Sequence, residues 1–461
     1  MARKQQRIFK RCYPLLVVLL LMVMTLPASA GNTKIPYLLE TPTSFAPLFP
    51  KISSPPSPSF KNLQSVITPN DAVAIWDPNQ KLVFSHNLTR PMVPASTLKV
   101  LTSLFAIETL GIDTHFKTEF YIDDQGTLKI KGYGDPFIIT EEVVLMALAL
   151  KKINPTYTKL VIDDTYFDPQ SDADGRSNTF KAYDAPTGAF CVNFNTVAFR
   201  REAVRINQNG RTVTEYTYVS DDKIPLPIFN TVLPRIKASK LAKGRIMVSP
   251  YRLENLTYAC EVIQYLFHEE GIEITGPVEP GKIEETDRLI YTHYSTKTVG
   301  DAVRQTLEVS SNYIANQLFL LAGVALNGEP ANYPQSAQAM QALAKTIGVK
   351  NLRCVEGSGL SRQNSISPNE MKLILDAFEP YRDYLRQRDG LWYKTGTLNG
   401  VSCLVGFIHS TDGWYTFTIF RHTPSNQKAF TIADEMKKEL SIVVMPSSIL
   451  DFTTTEPETN N

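Results

Sequence analysis

Two short strings far apart in the chain, Ser96-Thr-Leu-Lys99 and Lys394-Thr-Gly396, constrain this sequence more than its composition does. Between them stands Ser310-Ser-Asn312. A serine and a lysine three positions apart lie on one helical face, so the amine can reach the hydroxyl. The other strings join that chemistry only if the fold brings them back to the same place. Any architecture must therefore close the 214 residues between Ser96 and Ser310.

Short patterns recur by chance, and flanking residues separate the candidates. Ser220-Asp-Asp-Lys223 and Ser425-Asn-Gln-Lys428 repeat the first pattern, and Ser85-His-Asn87 and Ser367-Pro-Asn369 the second; Lys394-Thr-Gly396 occurs once. Ser96 opens an apolar-periodic segment (Leu98, Leu101, Leu104, Phe105, Leu110) closed by Gly111, the pattern of a core-facing helix. Ser220 stands among aspartates and prolines, and Ser425 follows Lys394, out of order.

At a helix start, free backbone N–H groups and the dipole favour developing negative charge on Ser96. A lysine with its ordinary pKa of about 10.4 is a poor base at neutral pH. Burial and a second cation would both lower it, and Lys394 is the candidate for that cation. Taken alone, Ser96 would read as an ordinary helix cap beside an exposed lysine. The third string favours the catalytic reading.

Residues 1–30 have the form of a cleaved secretory leader: basic Arg3, Lys4, Arg7, Lys10 and Arg11, an apolar stretch from Leu15 to Met24, then Ala28-Ser-Ala30. The apolar run is short for a membrane span, and retention as an anchor is the alternative. Export to the periplasm is the expectation. Without those five basic residues the chain holds 42 Lys and Arg against 46 Asp and Glu, which gives no reason to expect nucleic-acid binding. Cys191, Cys260, Cys354 and Cys403 remain after the leader. In an exported chain they could form up to two disulfides, in any of three pairings, and Cys403 in its apolar run also suits a buried thiol. The six histidines show no ligand spacing, so no metal and no cofactor are expected.

The mature length suggests more than one domain. Residues 31–60 read as a Pro- and Ser-rich lead-in, and 446–461 as a disordered tail. A hairpin is expected over 71–86. Short strand-like runs with many turns fill 115–285, and helical periodicity returns at 300–325, 335–347 and 369–378. Val401–Ile408 and Trp414–Phe420 should pair across Thr411-Asp-Gly413, before a last helix over about 427–440. The reading is an α/β domain formed by 61–114 and 286–445, split by a strand-rich insertion at 115–285, with the site at the seam.

Further strings carry a family resemblance: Gly134-Asp-Pro136, Ile162-Asp-Asp-Thr-Tyr-Phe167, Asp184-Ala-Pro186, Asn193-Phe-Asn195, Glu356-Gly-Ser-Gly-Leu-Ser-Arg362 and Lys394-Thr-Gly-Thr-Leu-Asn-Gly-Val401. With the three motifs, the chain resembles the D-alanyl-D-alanine carboxypeptidase/endopeptidases of the class C low-molecular-mass penicillin-binding proteins, the penicillin-binding protein 4 type. The resemblance implies an α+β, penicillin-recognising, transpeptidase-like domain, its central antiparallel sheet between helices and interrupted by two strand-rich domains. It also implies action on peptidoglycan stem peptides, acylation by β-lactams and peripheral contacts with membrane or wall assemblies.

By the same resemblance Ser96 is the nucleophile and Lys99 its base. Ser310 and Asn312 pass a proton to the leaving amine and hold the substrate amide, and Lys394 supports that network. Thr395, Gly396 and Thr397 form the carboxylate-binding edge, with the backbone N–H groups of Ser96 and Thr397 as oxyanion hole. Arg362 matches an arginine that grips the diaminopimelate carboxylate, Tyr183 an aromatic wall, and Asn399 a polar pocket position. Asn178 stands where relatives carry an aspartate for the diaminopimelate ammonium, and Glu356 where an aspartate is usual. A β-lactamase is disfavoured, because no Glu-x-x-Leu-Asn string occurs and Ser310 stands where class C lactamases have tyrosine. A wall-binding or β-lactam-sensing protein is the other alternative; retention of both Ser96 and Lys99 weighs against it.

Overall fold

The computed structural model describes residues 58–440 apart from Ser59, Asn178, 209–210 and 424–427. The leader, nearly all of the lead-in, the tail and Asn178 therefore lie outside the described residues.

A six-stranded antiparallel sheet organises the site-bearing part. Its spatial order is Arg386–Arg388, Leu391–Leu398, Val401–Ser410, Gly413–His422, Ala72–Trp76 and Leu82–His86. Both sequence-expected hairpins are present, one closed at Asp77-Pro-Asn-Gln80 and one at Thr411-Asp412. The alternation along the central strands decides what each face buries. Val401, Cys403, Val405, Phe407 and Phe420 face the larger core. Leu404, Ile408, Phe417 and Ile419 face a smaller one, closed by Ile432, Ala433 and Met436 of helix Ala429–Lys438. Each of these large side chains contributes roughly 1.5–3 kcal/mol by burial.

The larger core is filled by helices Lys99–Leu110, Val299–Glu308, Asn312–Asn327, Tyr333–Thr346 and Pro368–Phe378. Their starts are set locally. Ser367 accepts from Glu370 N–H and Glu370 reaches back to Ser367, so this Ser-Pro-Asn string is a helix cap. Ser311 caps the Asn312 helix by accepting from Ile314 N–H at 3.2 Å.

The chain between 115 and 298 builds a mixed five-stranded sheet: Val278–Pro280, Lys159–Asp163, Thr127–Gly132, His115–Ile122 and Arg288–Thr298. A three-stranded antiparallel sheet of Arg211–Ser220, Thr196–Gln208 and Lys243–Met247 accompanies it. The return segment after 286 thus runs through the insertion's sheet, paired with His115–Ile122, before entering the Val299 helix. Three helices add to the strands here: Thr140–Lys151, Leu226–Ser239 and Arg252–Glu269. Their apolar faces share one core with the sheets, through residues such as Met146, Val232 and Ile263. All four described cysteines are buried free thiols, so none of the three pairings is realised.

Candidate active site

Ser96 sits in a short 3-10 turn, Ala95–Leu98, and the α-helix proper begins at Lys99. Ala95, just before it, is held in the left-handed region at φ 47°. For an alanine this strain costs about 1–3 kcal/mol and persists only where the surroundings enforce it. Two glycines supply the enforcement. A Cβ on Gly396 would come within 2.6 Å of the Pro94 carbonyl oxygen and 3.0 Å of the Ser96 nitrogen. A Cβ on Gly359 would run into the Ala95 carbonyl. The glycine of the third string is therefore a packing requirement, letting one strand lie directly against the turn that carries Ser96.

The i, i+3 expectation holds: Lys99 Nζ lies 2.9 Å from Ser96 Oγ. It also contacts Asn312 Oδ1 at 2.8 Å and the Ser358 carbonyl at 2.6 Å. Three acceptors satisfy all three protons of an ammonium. When one proton is lost, Asn312 Oδ1 and the Ser358 carbonyl can still only accept, so the free lone pair must face Ser96. Lys99 is fully buried, and that burial pulls its pKa down to about 7, with the Glu356 carboxylate opposing the shift.

Ser310 and Lys394 form the opposite wall. Ser310 occupies the turn between two helices at φ 57°, and Lys394 Nζ donates to its Oγ at 2.8 Å and to the Thr395 carbonyl at 3.0 Å. The sequence points to burial and a second cation, Lys394, as the two causes that lower Lys99. Of the two causes, burial is the larger at Lys99, and Lys394 is subject to the same pressure. There burial first, then Lys99 and Arg386, press the amine toward its neutral form. Two ammonium groups buried in one site cannot both be comfortably charged.

Glu356 is the group whose importance the sequence concealed. It is fully buried and accepts from the Ser358 and Gly359 N–H groups at 2.7 and 2.8 Å, and from Asn364 Nδ2 at 2.7 Å. It thereby shapes the loop that offers the Ser358 carbonyl to Lys99. Its place in a Gly-Ser-Gly-rich string, where relatives carry an aspartate, hinted at an acidic group but not at this role.

The remaining candidates gather at the mouth. Arg362 is exposed and donates to the Asn399 carbonyl, so these two positions are neighbours. Thr395 is half-buried and Thr397 exposed on the strand beside Ser96. Tyr183 is 47% exposed, with Lys181 Nζ 5.6 Å from its ring centre, and its carbonyl accepts from Asn312 Nδ2 at 3.2 Å. The backbone of Tyr183, as well as its ring, reaches the site. A cavity of about 960 Å³ adjoins Thr395 and Thr397 and extends along the sheet edge to Arg386 and Lys428. Among the described residues, no group of three or more His, Cys, Asp or Glu could hold a metal ion, and no helix is long and apolar enough to cross a membrane.

Residues 66–223 and 246–387 match the D-Ala-D-Ala carboxypeptidase 3 (S13) family. The chain belongs to that family. It is accordingly a serine-type D-Ala-D-Ala carboxypeptidase. The matched residues include Ser96, Lys99, Ser310, Asn312 and Arg362, whereas Lys394-Thr-Gly396 lies beyond them and joins the site by geometry. The chain is 23% identical over 387 residues to D-alanyl-D-alanine carboxypeptidase DacB of Haemophilus influenzae, covering 72% of this chain and 81% of the relative. It is 22% identical over 432 residues to a D-alanyl-D-alanine carboxypeptidase of Actinomadura, covering 78% of each. Its fold is similar to penicillin binding protein 4 of Haemophilus influenzae, with a TM-score of 0.66 and 20% identity, covering 82% of this chain and 98% of that one. The family and fold expected from the sequence are thus borne out.

Proposed function

We propose that this family member hydrolyses the D-Ala-D-Ala end of peptidoglycan stem peptides through an acyl-enzyme on Ser96. The observation that carries the reading is the fully buried Lys99 amine, 2.9 Å from Ser96 Oγ, with its other two acceptors unable to donate. Neutral Lys99 takes the Ser96 proton as Oγ bonds to the carbonyl carbon between the two D-alanines. Negative charge on the tetrahedral oxygen meets the N–H groups of Ser96 and Thr397. Ser310, bonded to Lys394, relays the proton taken by Lys99 to the departing D-alanine amine, which leaves Ser310 a hydroxyl and Lys99 neutral again, while Asn312 holds the substrate amide. Water then releases the shortened peptide and restores the Ser96 hydroxyl.

The same attack opens a β-lactam ring, and the resulting acyl-enzyme inhibits. Endopeptidase action needs only a larger leaving amine. Arg362, Tyr183 and Asn399 form the diaminopimelate end in this reading, and the resemblance alone assigns Asn178 to it. The leader-like residues 1–30 support work in the periplasm. The test is product analysis with a diaminopimelate pentapeptide and a cross-linked dimer. Release of D-alanine or of two monomers is expected, and both are lost in Ser96→Ala. Penicillin labelling that persists in Ser96→Ala overturns the assignment of the nucleophile.

A further inference from the structure

The loop from Asp172 to Asp184 belongs to the insertion, yet it touches both segments that hold the Lys99 amine. At its far end the Tyr183 carbonyl accepts from Asn312 Nδ2, which fixes the amide so that Oδ1 faces Lys99. At its near end the exposed Asp174 carboxylate accepts from the buried Ser361 hydroxyl and from Gln363 Nε2 at 3.0 Å. Gly175 lies flat on the same segment: a Cβ there would stand 2.8 Å from Ser361 Cα and 2.9 Å from its nitrogen. Ser361 belongs to the loop wrapped around Glu356, three residues after the Ser358 carbonyl that receives Lys99.

Between these two contacts the loop is closed on itself. Asp184 accepts from Ser177 N–H at 3.2 Å and from the Thr179 hydroxyl. Arg176 donates to the Asp184 carbonyl at 2.7 Å and to the Pro250 carbonyl at 3.2 Å. A loop tied in this way transmits a constraint from one end to the other.

We propose that Asp174 is a positioning residue: its bonds to Ser361 and Gln363 clamp the inserted loop onto the 356–363 segment, so that the insertion braces both acceptors of the Lys99 amine. The proposal rests on Ser96 and Lys99 being the nucleophile and base. Loss of the clamp frees the 358 carbonyl to move and admits water beside Lys99. With Glu356 and Lys394, the titratable groups facing it, unchanged, the amine then holds its proton to higher pH.

The test is the rate of acylation by a fluorescent penicillin, followed from pH 5 to 9, with the melting temperature of each variant. Asp174→Ala is expected to lower the rate at pH 7 about three- to tenfold, the scale of one ordinary net hydrogen bond, and to move the rising limb toward higher pH. Asp174→Asn still accepts from the Ser361 hydroxyl and should recover most of the rate. Asp174→Ala combined with Ser361→Ala should be no slower than the slower single variant. If Asp174→Ala does not fold, Gln363→Ala removes one partner alone and should give a smaller shift in the same direction.

A variant profile that overlays that of the wild type, or an additive double variant, overturns the clamp while leaving the Ser96 chemistry intact. A wild type that penicillin never acylates at Ser96 overturns the proposed function, and the clamp with it.

Discussion

Buried charge is handled in opposite ways in the insertion and at the site. In the insertion two interior cations meet carboxylates directly, Arg252 Nε 2.6 Å from Asp164 and Lys129 2.7 Å from Asp287, while buried Asp135 and Asp184 are held by N–H and hydroxyl donors. At the site two lysines are buried together, and Glu356, the carboxylate that opposes the shift at Lys99, is spent on a loop's backbone. The six-stranded sheet can pair its charges where chemistry is absent, as Arg421 and Asp71 show at 3.1 Å. The contrast teaches that the unpaired amines are a local property of the site. They sit beside left-handed Ala95 and at left-handed Ser310, where stability is given up for reactivity.

The contrast breaks most visibly at Lys99. Lys99→Met should slow penicillin acylation by at least about a thousandfold, a typical scale for losing a general base. Its stability should also respond differently to pH. In the wild type the folded pKa, about 7, lies below the ordinary value, so the folded state binds fewer protons than the unfolded state between them. Stability contributed by this group is therefore absent below pH 7 and grows as pH rises toward the unfolded value, by up to about 1.4 kcal/mol per unit. Denaturant melts of both proteins at pH 6, 7, 8 and 9 check this; the wild type should gain relative to Lys99→Met across the series. A constant difference would mean that Lys99 keeps its proton when folded.

Arg252→Ala tests the other side. It strands Asp164 among buried groups, where burial already pushes that carboxyl's pKa up against Arg252. A loss of about 3–5 kcal/mol is expected, read by urea denaturation, with acylation per folded molecule nearly unchanged. An equally large fall in acylation would show that the two charge regimes are coupled. The smallest effect belongs to the mouth. Arg362→Ala should raise KM about tenfold for a diaminopimelate peptide, the scale of one lost charge-assisted contact, and leave penicillin acylation within twofold.

Much of this was legible in the sequence, because side-chain identities and periods carried it. The i, i+3 spacing of Ser96 and Lys99 became a 2.9 Å contact, and the alternation from Val401 to Ile408 split two cores as a period of two requires. What stayed hidden acts through backbone atoms or through burial. The Ser358 and Tyr183 carbonyls have no residue signature, and Glu356 gains its meaning only when a loop folds its N–H groups onto it. The burial of both amines also needed the fold, since spacing says nothing about how far either lysine is removed from water.

The most direct test is the pH dependence of wild-type acylation by a penicillin whose own groups do not titrate between pH 5 and 9. A neutral Lys99 acting on Ser96 gives a rising limb with its midpoint at about 7, falling tenfold per unit below pH 6. A profile flat over that range, or still rising at pH 9, would contradict it and remove Lys99 as the base.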